Sequence, residues 1–258
     1  MIVTTSQRPS GPTVERAFRL SAELGAAYVP RGTRTIRALQ AAAKDAETLV
    51  VGPRDIRLTG AGDQPFYFHP SMALVRIKAL LAGGRDSMLE VSGVKAGDTV
   101  IDCTAGLCSD SIVFSFAAGE TGKVVALEAV QTVHVIVREG LGTYESGLPE
   151  ADRAMRAIEA VLAGYEERLP LLPDDSADVV YFDPMFEKPV ASSSSIGPLR
   201  ALAAHGPLTE DAVREAVRVA RRKVVLKDHR GSGRFERLGF RLAKSSSSAV
   251  AYGVIDVE

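Results

Sequence analysis

From Met88 to the C-terminus, short apolar runs alternate with segments whose apolar residues recur at helical spacing. The runs Thr99-Val100-Ile101, Val124-Val125-Ala126-Leu127 and Asp178-Val179-Val180-Tyr181-Phe182 lack polar alternation and are rich in β-branched residues. They predict strands buried on both faces, as in a parallel sheet. Ile158-Glu159-Ala160-Val161, the stretch Lys223 to Lys227 and the stretch Ala249 to Val257 predict further strands. Helices are predicted through Ile112, Val113 and Phe116, through Val133, Val135, Ile136 and Val137, over Ala151 to Arg156 and over Glu210 to Ala220, with a loop from Gly140 to Pro149. Such alternation means a mostly parallel sheet with helices on both faces. Upstream, Ile2-Val3-Thr4-Thr5, Ala27-Tyr28-Val29, Leu49-Val50-Val51 and Ile56-Arg57-Leu58 predict strands. A helix starts at Pro12, where proline suits a first turn, and another covers Ile36 to Ala43. Residues 1–68 are therefore expected to form a small N-terminal α/β domain. The segment Phe66-Tyr67-Phe68-His69-Pro70 joins it to a larger domain over 69–258, which opens with a helix carrying Met72, Leu74, Val75, Ile77, Leu80 and Leu81, with Ser71 as its cap and Gly83-Gly84 ending it.

Composition agrees with this division: 258 residues, 46% of them hydrophobic, are enough for a full domain and a smaller partner. The net charge of -1 excludes a globally basic nucleic-acid binder, though not a local basic face. The N-terminus lacks the apolar stretch of a signal peptide, and no apolar run approaches the roughly 18 residues that span a bilayer. A cytoplasmic protein with no membrane partner is expected. Cys103 and Cys108 are the only cysteines. With no histidine cluster near them, they predict small buried thiols and no metal site. Basic residues collect in two places, Arg8, Arg16, Arg19, Arg31, Arg34 and Arg37 near the N-terminus and the stretch Arg221 to Lys244 near the other end. Singly these read as solvated surface; as groups they are candidate RNA-contacting faces. The serine runs Ser192 to Ser195 and Ser245 to Ser248 predict loops, the first placed to act as a lid or substrate loop. Gly119-Glu120-Thr121-Gly122-Lys123 only resembles a phosphate loop, because its glycines are too close and Val124 stands where magnesium needs Ser or Thr.

Candidate chemistry collects where strands end. Asp102, Glu128, Tyr165 and Asp183 fall at or just past the carboxyl ends of predicted strands, where ligands of doubly wound sheets gather. Ala105-Gly106 give a turn with little side-chain bulk, and Ser109 or Asp110 can cap the helix behind it, leaving bare backbone for a ligand. Glu128, about twenty positions after the glycine turn, suits a ribose hydroxyl. Asp183-Pro184-Met185-Phe186 combines a carboxylate acceptor, a proline carbonyl acceptor and an aromatic face. An exocyclic amine on a planar base has two N–H donors for those acceptors, and its ring can stack on Phe186. With the donors held, the nitrogen lone pair faces an incoming electrophile, and catalysis is mainly proximity and orientation.

Taken together, Asp102-Cys103-Thr104-Ala105-Gly106-Leu107 through Asp110, Glu128 and Val179 to Phe186 resemble the class I S-adenosylmethionine-dependent methyltransferases from about Phe68 onward. Within them the chain is similar to the RsmJ type, which methylates the guanine 2-amino group in small-subunit ribosomal RNA. Cys108-Ser109 and Glu187 depart from that type's pattern, as in a divergent branch. The resemblance implies a Rossmann-like class I methyltransferase fold, S-adenosylmethionine as cofactor, S-adenosylhomocysteine as product and small-subunit rRNA as partner. It implies that Asp102 and the Ala105-Gly106 backbone hold the methionine end, with Thr104 and Asp110 in the same set. Glu128, followed by Ala129, would bind the ribose, and Tyr165 would lie near the adenine. Asp183, Pro184 and Phe186 would grip the target amine, Asp183 also lining the cofactor. The alternatives are another RNA, DNA or a small amine as acceptor, a nicotinamide dehydrogenase lacking the third glycine of its fingerprint, and a non-catalytic RNA-binding module with a vestigial pocket.

Overall fold

The computed structural model describes residues 1–60, 64–184, 206–243 and 249–257. They form two compact units, one of residues 1–69 and 130–144, the other of residues 70–129 with the described residues from 145 onward. In the first, β1 (Ile2–Thr5), β2 (Ala27–Tyr28) and β3 (Thr48–Val51) run parallel, and β4 (Ile56–Thr59) and β5 (Phe66–Tyr67) continue antiparallel, in the order β2-β1-β3-β4-β5. The helices α1 (Gly11–Glu23) and α2 (Ile36–Ala43) connect the parallel strands. Ser10 and Thr35 cap them, Thr35 Oγ1 accepting from the Ala38 N–H at 3.1 Å. Val3, Leu20, Leu39 and Leu49 are completely buried between sheet and helices.

The second unit opens with α3 (Ser71–Leu81) and α4 (Ser87–Ser92), followed by β6 (Thr99–Asp102), α5 (Ser109–Ala118) and β7 (Lys123–Glu128). After β7 comes α6 (Gln131–Thr143), which belongs to the first unit. The chain then continues through α7 (Pro149–Ala157), β8 (Ile158–Leu162), α8 (Tyr165–Arg168), a 3-10 turn at Leu169–Leu171 and β9 (Ala177–Phe182). After it come α9 (Glu210–Val219), β10 (Ala220–His229), α10 (Arg234–Arg237), β11 (Arg241–Leu242) and β12 (Val250–Asp256). The seven strands lie in the order β11-β12-β10-β9-β6-β7-β8. All neighbours from β10 to β8 are parallel, and β12 is antiparallel to both β10 and β11. This is the mostly parallel sheet that the alternation predicts, in the Rossmann-like form that the resemblance implies. Val100, Val179, Val180, Val224 and Leu226 are completely buried, as strands covered on both faces require.

The strand order reverses between β6 and β9. The chain steps outward from β6 to β7 and β8, then returns to β9 on the other side. Loops leaving two such strands diverge, and a crevice opens at their carboxyl ends.

Two elements differ from the sequence pattern. β10 extends beyond Lys223 to Lys227 at both ends, because Ala220 pairs with Ala177 of β9 at one end and Asp228 and His229 pair with Ala251 and Val250 of β12 at the other. The helix α6 runs through Gly140 to Thr143 rather than ending there. Phe68 presses on Gly140 so closely that a Cβ would lie 2.2 Å from its Cγ. Packing thus keeps glycine inside a helix. The same helix was expected with the larger domain, but its ties are to the first unit: Arg16 donates to Glu139 at 2.8 Å, and Arg138 to Glu23 at 2.6 Å.

Candidate active site

The end of β6 organises the crevice. Asp102 is 1% exposed. One carboxyl oxygen accepts the Thr104 N–H at 3.1 Å and the other accepts the Ser111 hydroxyl. Burial raises its pKa to about 7, with repulsion from Asp110 adding to the rise and the Ser111 and Thr104 hydrogen bonds opposing it. Asp102 therefore braces the turn against α5. Neighbouring strands hold the same turn: the Cys103 N–H donates to Tyr181 O at 2.9 Å, the Ala105 N–H to Leu127 O at 3.0 Å and the Asp183 N–H to Thr104 Oγ1 at 2.6 Å. Gly106 takes a left-handed φ of 49°, which glycine adopts without strain. Among the described residues, no acceptor takes the N–H of Gly106 or Leu107.

The helix cap differs from expectation. Cys108, at φ 58°, holds the N-cap position of α5 without a side-chain hydrogen bond, so neither Ser109 nor Asp110 caps it. Asp110 turns inward because two cations wait there. It accepts from Arg76, from Lys227 Nζ at 2.8 Å and from the Tyr181 hydroxyl at 2.6 Å. Arg76 forks onto Asp86 as well, at 2.7 and 2.9 Å, and Asp86 also caps α4 through the Met88 and Leu89 N–H groups. Lys227 reaches on to Asp183 at 2.7 Å. A chain of charge, Asp86–Arg76–Asp110–Lys227–Asp183, thus runs under the strand ends. Lys227 and Arg76 hold Asp110 far below the usual carboxylate range despite its burial.

Asp183 follows the last residue of β9, beside the switch point. Its carboxyl is 28% exposed, and burial raises its pKa to about 6 against the pull of Lys227. Lys227 occupies one carboxyl oxygen, and no described residue donates to the other. Pro184 is buried. Phe186, and Met185 before it, lie outside the described residues, as do Lys244, Glu187 and both serine runs.

Glu128 ends β7 half-buried, Ala129 beyond it is exposed, and the Ala163 N–H donates to Glu128 O at 3.0 Å. Tyr165 is 9% exposed and meets Phe182 edge-on at 5.4 Å. Its ring is part of the core beneath the site, and burial together with Glu166 pushes its hydroxyl up. Cys103 and Cys108 are buried free thiols, both pushed up by burial and the Asp102 charge. Among the described residues no cluster could hold a metal ion. A cavity of about 230 Å³ opens elsewhere, on the sheet face over Thr99, Lys123 and Glu159.

The structure thus brings Asp102, Thr104, Ala105, Gly106, Asp110, Glu128, Ala129, Asp183 and Pro184 to one edge of one sheet. It adds Arg76, Asp86 and Ser111, which the sequence reading missed, and it gives Lys227 a specific task. The signal for Arg76 was a cation flanked on both sides by apolar residues, Leu74-Val75-Arg76-Ile77, ahead of the last turn where Lys78 suits the helix end. The basic stretch after Arg221 is mostly engaged within the unit: Arg221 and Arg222 pair with Asp178, Arg234 with Asp228 and Arg241 with Asp256. No helix among the described residues is long and apolar enough to cross a membrane.

Comparisons with known proteins bear on this arrangement. Residues 37–236 match a family model described as "Putative SAM-dependent methyltransferase". A protein of Bacillus subtilis (strain 168), "Uncharacterized protein YpiP", is 46% identical over 254 residues, covering 98% of both chains. The crystal structure of a SAM-dependent methyltransferase from Neisseria gonorrhoeae matches with a TM-score of 0.60 at 16% identity, over 98% of this chain and 95% of that one. TrmN from Thermus thermophilus matches at a TM-score of 0.47 and 15% identity, over 99% of this chain and 71% of its own.

Proposed function

Because the chain belongs to the SAM-dependent methyltransferase family, we propose that its methyl acceptor is the exocyclic amine of a nucleobase, the guanine 2-amino group of small-subunit ribosomal RNA. The observation that carries this reading is the Asp183-Pro184 pair at the end of β9. One Asp183 oxygen is anchored by Lys227, and no described residue donates to the other oxygen or to the Pro184 carbonyl. Two acceptors side by side match the two N–H donors of an amine on a planar base.

The residues of the β6 edge fit S-adenosylmethionine. The unused Gly106 and Leu107 N–H groups suit a carboxylate, with the N-terminus of α5 behind them. Glu128 can accept from ribose hydroxyls. Asp102 works through the turn it braces, since its own oxygens are occupied. Bound there, the cofactor supplies an electrophilic methyl group on a sulfonium. Asp183 and the Pro184 carbonyl hold the amine protons, so that the nitrogen lone pair is left to face the electrophile. Lys227 keeps Asp183 ionised and oriented. Orientation of this kind accounts for catalysis without a strong general base.

The test is methyl transfer from labelled S-adenosylmethionine to small-subunit RNA from cells lacking the protein, with digestion to nucleosides. The expected result is label in 2-methylguanosine. Asp183→Asn should lower the rate by about 100-fold or more while S-adenosylhomocysteine binding persists. Label in another nucleoside would change the target. Cofactor binding without any label in RNA would refute the ribosomal reading.

A further inference from the structure

We infer that the carboxyl edge of the first unit's sheet is a separate binding site that grips the phosphate backbone of an RNA strand. β1, β2 and β3 are parallel, with Val3 opposite Tyr28 and Thr5 opposite Val51, so the loops after them leave the same edge side by side. The Val29 N–H donates to Val3 O at 2.8 Å, the Thr4 hydroxyl to Val29 O at 2.7 Å and the Ser6 N–H to Val51 O at 2.8 Å, which fastens the bases of the three loops together. The chain steps from β1 out to β2 and back past β1 to β3. With right-handed crossovers, α1 and α2 then cover opposite faces. The loops after β1 and β2 then lead from neighbouring strand ends to opposite faces, the arrangement at which open α/β sheets bind ligands.

This edge carries positive charge in two of its loops. Arg8 stands in the first loop, held in a left-handed turn at φ 52°, and Arg31 and Arg34 stand in the second. Arg31 Nε donates to Arg34 O at 2.7 Å, and Arg34 donates to Pro30 O at 2.6 Å, so these side chains fix their loop through backbone carbonyls and keep their charge. Among the described residues no carboxylate pairs with Arg8, Arg31 or Arg34. By contrast Arg16 and Arg19 are taken by Glu139, and Asp55 in the third loop is taken by Arg57 at 2.6 Å. Both α1 and α2 start at this edge, and neither has an acidic residue in its first turn to offset the positive end of its dipole. Phe18, 53% exposed, lies against Tyr28 of the edge strand at 4.2 Å and offers a surface on which a base can stack. Cations spread over two loops beside an aromatic face suit a strand better than a single small anion. That the polyanion is RNA rests on the function proposed above. The site does not, since Arg8, Arg31 and Arg34 precede residue 37, where the family match begins.

The test uses the full chain, a fluorescein-labelled single-stranded 20-nucleotide RNA of mixed sequence and fluorescence anisotropy over a KCl series. Replacing Arg8, Arg31 and Arg34 together by alanine should weaken binding about tenfold or more in low salt. It should also flatten the slope of log affinity against log salt by about two. The Arg153→Ala, Arg214→Ala double variant, which removes two exposed arginines elsewhere, should bind as wild type. A triple lysine variant keeps the charge but not the loop bonds, so recovery of the slope there assigns the loss to charge rather than to a loosened loop. Equal affinity and slope in wild type and the triple alanine variant would overturn the site while leaving the RNA substrate reading intact. If wild type fails to bind the RNA at all, both fall, and S-adenosylhomocysteine binding in the same preparation certifies that the protein was folded.

Discussion

Replacing Lys227 by methionine tests the charge chain under the active site. The ammonium lies 2.7 Å from Asp183 and 2.8 Å from Asp110. Among the described residues, no other cation pairs with Asp183. The two side chains keep 21% and 28% exposure, which calls for an effective dielectric constant of about 40. Coulomb's law at that separation then gives about 3 kcal/mol, or roughly two pKa units. Burial already raises Asp183 to about 6 against the pull of Lys227. Without the lysine it should titrate well above that value. Only the carboxylate accepts an amine proton, so activity is lost as pH falls through the Asp183 pKa. The wild-type rate of methyl transfer should therefore rise through about pH 6, and the Lys227→Met rate only at higher pH. Stability should drop by about 2 kcal/mol, less than for a fully buried pair because both groups touch solvent. Lys227→Arg should restore most of the wild-type profile. The decisive assay is initial methyl-transfer rate from pH 5 to 9. A Lys227→Met profile that overlays the wild type's, in protein that still binds S-adenosylhomocysteine, would refute the role given to Lys227.

Asp102 makes a stability prediction of opposite character to a salt-bridged carboxylate. Its folded pKa of about 7 lies above the ordinary carboxylate value, so its contribution is fully present below about pH 4 and is lost as pH rises through about 7. Asp102→Asn can still accept from the Thr104 N–H, and it should remove that loss; urea melts from pH 4 to 8 with an unchanged slope would count against it. Gly106→Ala forces a side chain into a left-handed turn, costing about 1 kcal/mol or more. Calorimetry should find S-adenosylhomocysteine binding weakened severalfold, and unaltered affinity would mean the turn does not meet the cofactor. Gly140→Ala drives a Cβ to 2.2 Å from Phe68 Cγ and should destabilise the protein by about 1–3 kcal/mol. Adding Phe68→Leu should recover part of the melting temperature, and a Gly140→Ala variant as stable as wild type would dispose of the packing argument.

The sheet was legible because its strands are buried on both faces, and burial writes a continuous β-branched run. Val100, Val180 and Val225 announce themselves in this way. The positions of Asp102, Glu128 and Asp183 followed, since each directly closes such a run. What ties them together was not legible. Asp110 reads locally as a helix cap, yet long-range electrostatics turns it to Arg76, 34 residues earlier, and to Lys227, 117 residues later. The extent of α6 was hidden for a similar reason. Two glycines at its end argue for a stop, but the ring that packs on Gly140 comes from Phe68. The N-terminal arginines looked like one group, and only the fold separates those closed by Glu139 from those left open at the sheet edge.

The charge chain also explains why the acidic end of the site faces outward. Asp86, Asp110 and Asp183 are linked by Arg76 and Lys227, three carboxylates to two cations. One negative charge is therefore in excess when all are ionised. Placed deep in the unit, that excess would carry a large desolvation cost. Asp110, between the two cations, and Asp86, held at both oxygens by Arg76, keep 9% side-chain exposure each, whereas Asp183 keeps 28% and a cation at one oxygen only. The unbalanced charge is therefore carried by the residue at the crevice. On the function proposed above, a cationic sulfonium or the polarised N–H groups of an amine at this residue would meet a field already oriented toward them, with little reorganisation left to perform. The same arithmetic fixes what a neutralised Asp183 would do. Asp183→Asn leaves the chain balanced and the fold no less stable, but the crevice without its charge, so the variant should separate folding from methyl transfer.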